Sequence, residues 1–148
     1  MITLSCLALL AGAAKAAAAA QHVFPNRTSL KTAVDDFVAN PNATTVQHGP
    51  IQDWDTSQVT DMHHLFHQCD DFDENITKWQ TSKVTTMESM FHNAGAFNHP
   101  LEFDTSSVTT MKSMFCNTDA FNSLIAFDTG SVTSMQTMFW KAASFDQT

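Results

Sequence analysis

The side chains best placed to do chemistry are imidazoles, thiols and carboxylates that fall close together. His63, His64 and His67 form an H-H-x-x-H cluster, and on a helix His63 and His67 lie one turn apart, as a pair of metal ligands can. His92 and Cys116 follow His67 at intervals of 25 and 24 residues, so His63, His67, His92 and Cys116 are the candidate ligand set. Zinc needs its ligand atoms about 2.0–2.3 Å from one ion, whereas helices in neighbouring repeats pack about 8–10 Å apart. Metal binding is therefore the least favoured reading, and no cofactor is expected. "DDFDEN" at 70–75 is rich in carboxylates but lacks the central Gly and closing Glu of a calcium loop, and reads as a solvated turn. No H-E-x-x-H, G-x-S-x-G, P-loop or G-x-G-x-x-G occurs, and four glycines in 148 residues leave little for phosphate-cradling loops. No catalytic residue is expected, and the chain reads as a non-enzyme.

What positions these groups is a repeat. Val59, Val84, Val108 and Val132 are separated by 25, 24 and 24 residues, and Met62, Met87, Met111 and Met135 keep the same intervals. So do Phe72, Phe97, Phe121 and Phe145. Four units result: 54–78, 79–102, 103–126 and an incomplete 127–148. Ten of the 12 phenylalanines and seven of the eight methionines lie after residue 60, so the apolar bulk belongs to the repeats.

Within a unit, Met62, Leu65, Phe66 and Cys69 stand at i, i+3, i+4 and i+7, the apolar stripe of a two-turn helix. Thr60, Thr85, Thr109 and Thr133 precede these stripes as N-caps, and Thr85 with Glu88 makes a capping box. A short extended segment follows, as in "FDENITKW" at 72–79. The expected fold class is α/β: a solenoid with a short helix plus a short strand or turn per 24–25-residue repeat. Its expected core is Met62, Phe66 and Phe72; Met87, Met90, Phe91 and Phe97; Met111, Met114, Phe115 and Phe121; and Met135, Met138 and Phe139. The columns of Thr residues, including Thr56, Thr81, Thr105 and Thr129, read as structural and not as an ice-facing hydroxyl array.

Energetics favour one stack over four small domains. About seven apolar side chains contribute roughly 10–20 kcal/mol when buried, but ordering some 24 residues costs roughly 36 kcal/mol. A lone unit is unstable, and neighbours must share their buried faces. Residues 21–50 do not repeat; Leu30, Ala33, Val34, Phe37 and Val38 share a helical face, with Thr28 or Ser29 as cap and "NPN" as terminator. This is expected to be an N-terminal helical cap. Residues 1–20, an apolar run followed by an Ala-rich tract, read as a secretory signal peptide. Asn26, Asn42 and Asn75 begin N-x-[ST] sequons, the acceptor pattern for N-glycosylation. Cys69 and Cys116 occupy different repeat columns and are not expected to form a disulfide. The net charge of −8 argues against a nucleic-acid partner.

The run "WDTSQVTDMHHLFHQCDDFDENITKW" and its three successors resemble the BspA-like leucine-rich-repeat surface proteins, in particular the repeats of about 25 residues of mycoplasma lipoproteins. The resemblance covers about two-thirds of the chain. Departures are Leu65 for the usual Met, Phe103 and Phe127 for Trp, and Gly130 for Ser. It implies an α/β solenoid related to leucine-rich repeats, exported to the cell surface as a scaffold that binds a protein or glycan, with no catalytic residue to carry over. Membrane association would need an anchor beyond the C-terminus. The alternative is a structural component that self-associates through its ends, since the last unit stops short and has no cap. The incomplete unit reads as a piece of a longer protein.

Overall fold

A computed structural model describes residues 22–147; the leader at 1–20, read as a signal peptide, lies outside them. Two helices open the described chain. α1 (Arg27–Ala39) is capped by Asn26, whose side chain accepts from the Ser29 amide. The expected cap, Thr28 or Ser29, thus falls inside the first turn, after the true cap Asn26. Leu30, Ala33, Val34 and Phe37 are buried, but Val38 is exposed, so the apolar face is narrower than the sequence suggests. "NPN" ends α1, with Asn40 as its closing residue, but also opens a further helix. Asn40 caps a second helix, α2 (Pro41–His48), accepting from the Ala43 amide, with Pro41 at the first position and Gly49 (φ 79°) closing it.

After a short 3₁₀ turn at Ile51–Asp53, the repeats wind as four coils over the unit boundaries read from the sequence. The α/β leucine-rich-repeat reading is overturned here: among the described residues the coils contain no helix and no strand, only turns and isolated parallel bridges such as Asp61↔Thr86, Thr86↔Thr110 and Thr110↔Ser134. The stripe that reads as a helix is a chain of tight turns. His64, Ser89, Ser113 and Thr137 hold φ between 53° and 56°, and Gln68, Asn93, Asn117 and Lys141 between 55° and 62°. Two left-handed residues per coil are incompatible with an α-helix, and each costs on the order of 1 kcal/mol or more.

The offset comes from the neighbouring coil. The amides of Met62, His64, Phe66 and Gln68 donate to the carbonyls of Thr86, Glu88, Met90 and His92 at 2.8–3.0 Å. Met87, Ser89, Phe91 and Asn93 repeat this onto Thr110, Lys112, Met114 and Cys116, and Met111, Ser113, Phe115 and Asn117 onto Ser134, Gln136, Met138 and Trp140. Such a ladder sets the backbones about 4.8 Å apart, too close for helices about 10 Å across. Intercoil bonding therefore wins over intracoil helix. The left-handed residues turn the chain so that Met62, Leu65, Phe66 and Cys69 still point inward.

Side chains stack in the same register. Phe66, Phe91, Phe115 and Phe139 lie nearly parallel with centroids 5.2, 5.5 and 5.4 Å apart. Phe72, Phe97, Phe121 and Phe145 form a second column at 5.9, 6.0 and 5.8 Å. Within each coil the two rings meet at 4.1 or 4.2 Å. Met62, Met87, Met90, Met111 and Met114 fill the space beside them with no exposed surface. The last coil departs. Met138 is buried, Phe139 is only partly covered, and Met135 is 48% exposed, which removes Met135 from the core. Nothing among the described residues stacks over it.

Candidate functional site

The histidines come together on one side of the stack. Ring centroids are 5.3 Å apart for His63–His64, 5.0 Å for His64–His67 and 5.1 Å for His67–His92. The 8–10 Å separation expected of packed helices does not apply, because the coils meet backbone to backbone. Even so, no group of three His, Cys, Asp or Glu side chains among the described residues has metal-holding geometry. His63 turns its Nδ1 to the Asp61 carboxylate at 2.8 Å, away from the column. Cys116 is buried. His64, His67 and His92 are held below the ordinary imidazole range, chiefly by desolvation and then by neighbouring histidine charges. Burial pushes both free thiols, Cys69 and Cys116, upward, which makes them poor nucleophiles.

The Thr columns are tied to backbone. Thr56, Thr81 and Thr105 are buried, and their hydroxyls donate to Gln80, Asp104 and Asp128 carbonyls in the next coil at 3.0 Å. Thr85, Thr109 and Thr133 do not cap helices. Their hydroxyls donate to the carbonyls of Thr60, Thr85 and Thr109 in the preceding coil. The expected Thr85–Glu88 box is absent; the Glu88 amide bonds Thr86, and its carboxylate faces Lys112 at 3.6 Å.

Around the turns runs an open polar groove crossing three coils, lined by Gln68, Asp70, Asn93, Gly95, Asn117 and Asp119. Asn117 donates to the Asn93 side chain at 2.8 Å, which fixes both amides. Asp73, Asn98 and Asn122 build a parallel rail, each side-chain oxygen accepting the backbone amide of the equivalent residue in the next coil. Ser89, a position whose residue type varies between units, is buried. The sequon residues Asn26, Asn42 and Asn75 are exposed, Asn26 as the α1 cap and Asn75 bonding Thr77.

Sequence reasoning missed the two ends of the ladder. The amides of Met62, His64, Phe66 and Gln68 and their equivalents all donate toward the C-terminal coil, so this face has a direction, like a helix dipole. At its acceptor end α1 lies across coil 1, and Arg27 Nε donates to the His63 carbonyl at 2.9 Å. At its donor end the amides of Met135, Thr137, Phe139 and Lys141 have no acceptor among the described residues. The strict two-residue alternation behind this is invisible in a pattern read at helical period. No helix among the described residues is long and apolar enough to cross a membrane.

No curated protein and no solved structure matches the chain. A family model, described as "Mycoplasma protein of unknown function, DUF285", matches residues 28–148, which take in both helices but for Arg27 and all four coils, and the chain belongs to that family.

Proposed function

We propose that the chain is a non-catalytic binding scaffold displayed outside the cell, which engages a protein or glycan through the lateral face of its coils. The observation that carries this reading is the separation of fixed and variable positions. In coils 1 to 3 the fixed Met, Phe and Val columns are buried, while variable side chains recur outward at one coil per step on a backbone locked by ladder bonds. Rigid display of that kind keeps the entropic cost of binding low. The groove from Gln68 to Asp119 supplies amides and carboxylates suited to hydroxyl-rich or amide-rich ligands. The family's kinship with BspA-like surface repeats belongs to the same reading, and so does export through the leader.

The test is saturable binding of the labelled chain to a glycan array and to intact cells, compared with an Asp70→Lys/Asp119→Lys variant. Both side chains are exposed, so the variant should melt like the parent while losing binding. Absence of binding on every surface, or binding indifferent to this charge reversal, overturns the proposal.

A further inference from the structure

Residues 22–24 cross the N-terminal end of the stack as a strap held in two ways. Its backbone makes a parallel bridge to coil 1: the Asp55 amide donates to the His22 carbonyl and the Phe24 amide to the Asp55 carbonyl, both at 2.9 Å. Its side chains close over Trp54, with the Phe24 ring 4.9 Å from the indole and almost wholly buried. Trp54 has no exposed surface and stacks on Trp79 of coil 2, so the strap covers the first aromatic layer of the repeats.

Within this packing two imidazoles meet. The His22 ring contacts the His48 ring edge-on at 4.2 Å, and the two rings lie 4.6 and 5.7 Å from Phe24. His48 Nδ1 is buried and has no hydrogen-bond partner among the described residues. A neutral ring can occupy that position, whereas an imidazolium brings a second N–H that needs an acceptor. Few charges face the pair. α2, which carries His48, holds no carboxylate, and Asp53 and Asp55 at the start of the repeats are engaged by Lys78 and Ser57. α1 contributes Asp36, which favours a charged His48, but burial and His22 outweigh it and hold His48 below the ordinary imidazole range.

We propose that residues 22–24 are an acid-released strap: when His22 and His48 both carry a proton, two like charges 4.2 Å apart drive the strap off Asp55 and uncover Trp54. The released state takes up the His48 proton first as pH falls, so closure is complete above about pH 6.5 and is lost below it. A cleft of about 450 Å³ beside the pair, lined by Asn26, Thr32, Asp36 and Gln47 among others, admits water and protons. Pro25 and the Asn26 cap separate the strap from α1, which is anchored on its own by buried Leu30, Val34 and Phe37 and by Arg27 on the His63 carbonyl. The strap can therefore lift without unwinding the helix. Its release does not depend on what the lateral face binds.

The test is amide hydrogen exchange of the whole chain, read by NMR at pH 8 and pH 5, with each rate taken relative to the intrinsic rate at that pH. Protection of the Phe24 and Asp55 amides should fall by about tenfold or more at pH 5. The Leu30 amide of α1 and the Phe91 amide of coil 2, bonded to the Asn26 and Met114 carbonyls, should keep theirs. The variant His22→Gln/His48→Gln, which cannot take up the charges, should hold Phe24 and Asp55 protected at pH 5. If the double variant fails to fold, His22→Gln alone, at a partly exposed ring, must do the same. Equal protection of the parent at both pH values overturns the proposal, because Asp36 then accommodates the charged His48 with the strap closed. An equal loss in the folded glutamine variant, or a loss shared by Leu30 and Phe91, overturns it as well.

Discussion

Coil 3 and coil 4 are nearly the same sentence in different surroundings. "VTTMKSMFCNTDAF" and "VTSMQTMFWKAASF" share Val, Thr, Met, Met, Phe and Phe at matching places. Yet Val108, Met111, Phe115 and Phe121 have no exposed surface, while Val132, Phe139 and Phe145 are only partly covered and Met135 is half open. The backbone is alike in both, down to the left-handed pairs Ser113/Asn117 and Thr137/Lys141. Burial in this protein is therefore a property of having a coil on each side, and the motif alone supplies only half of it. The contribution of a residue should depend on its coil number more than on its type.

The largest test of that contrast is in the inner Phe column. Phe91 is sandwiched between Phe66 and Phe115 and touches Phe97 within its own coil. Phe91→Ala opens a cavity shared by two junctions and should cost about 3–5 kcal/mol in chemical denaturation. Phe139 has a ring on one stack side only, so Phe139→Ala should cost about half as much, because its site is already partly open to water. A loss under about 1 kcal/mol at Phe91, or equal losses at the two positions, breaks the argument that stacking decides burial.

How far this was legible in the sequence follows from the same residues. The 24–25-residue register, the buried Met and Phe columns and the α1 face around Leu30, Val34 and Phe37 were all readable, because burial imposes a period whatever the local backbone does. The local backbone was not. Met62, Leu65, Phe66 and Cys69 satisfy a helical stripe and a chain of left-handed turns equally well, and only the neighbouring coil decides between them. The available clue was Asn at both 93 and 117, a residue that tolerates φ near +60°, recurring where a helix has no need of it. α2 escapes the sequence pattern for a related reason: Asn40-Pro41 does stop α1, as expected, but the same pair, cap plus first residue, also starts a second helix. In the candidate site, the shared column of His67 and His92 was legible, but their approach to 5.1 Å was not, because helical packing would have held them about 8–10 Å apart. The direction of the amide ladder was not legible, because it depends on which alternate residue turns its N–H along the axis.

A middle-sized test uses the buried hydroxyls. Thr105 is buried and donates to the Asp128 carbonyl at 3.0 Å. Thr105→Val keeps the shape and leaves that carbonyl unsatisfied, which should cost about 1–3 kcal/mol. Thr129 is the same column in coil 4, exposed and with no hydroxyl partner among the described residues. Thr129→Val should stay within about 0.5 kcal/mol of the parent in thermal melts. If both substitutions are silent, the Thr column is decoration and the contrast between inner and terminal coils loses its polar half.

The smallest effect concerns pH and contrasts coils 1 and 2 with the histidine-free coils 3 and 4. His64, His67 and His92 are held below their ordinary value of 6.5, first by desolvation and then by one another, with Arg27 and Lys31 adding positive charge and Glu88 opposing. His48 in the cap is displaced the same way by burial and His22, against Asp36. A folded-state value below the unfolded one means the unfolded chain binds protons first as pH falls. The stability is whole above about pH 6.5 and declines as pH drops through the lowered folded values. At neutral pH, His92→Ala should be nearly silent, since its ring is partly exposed and its contacts are with His67. The double variant His67→Gln/His92→Gln should match the parent at pH 8 and melt higher than it at pH 5, flattening the slope between them. An unchanged slope in the double variant would place the pH sensitivity with His48 in the cap and His64, and the His67–His92 pair would then be an ordinary solvated face.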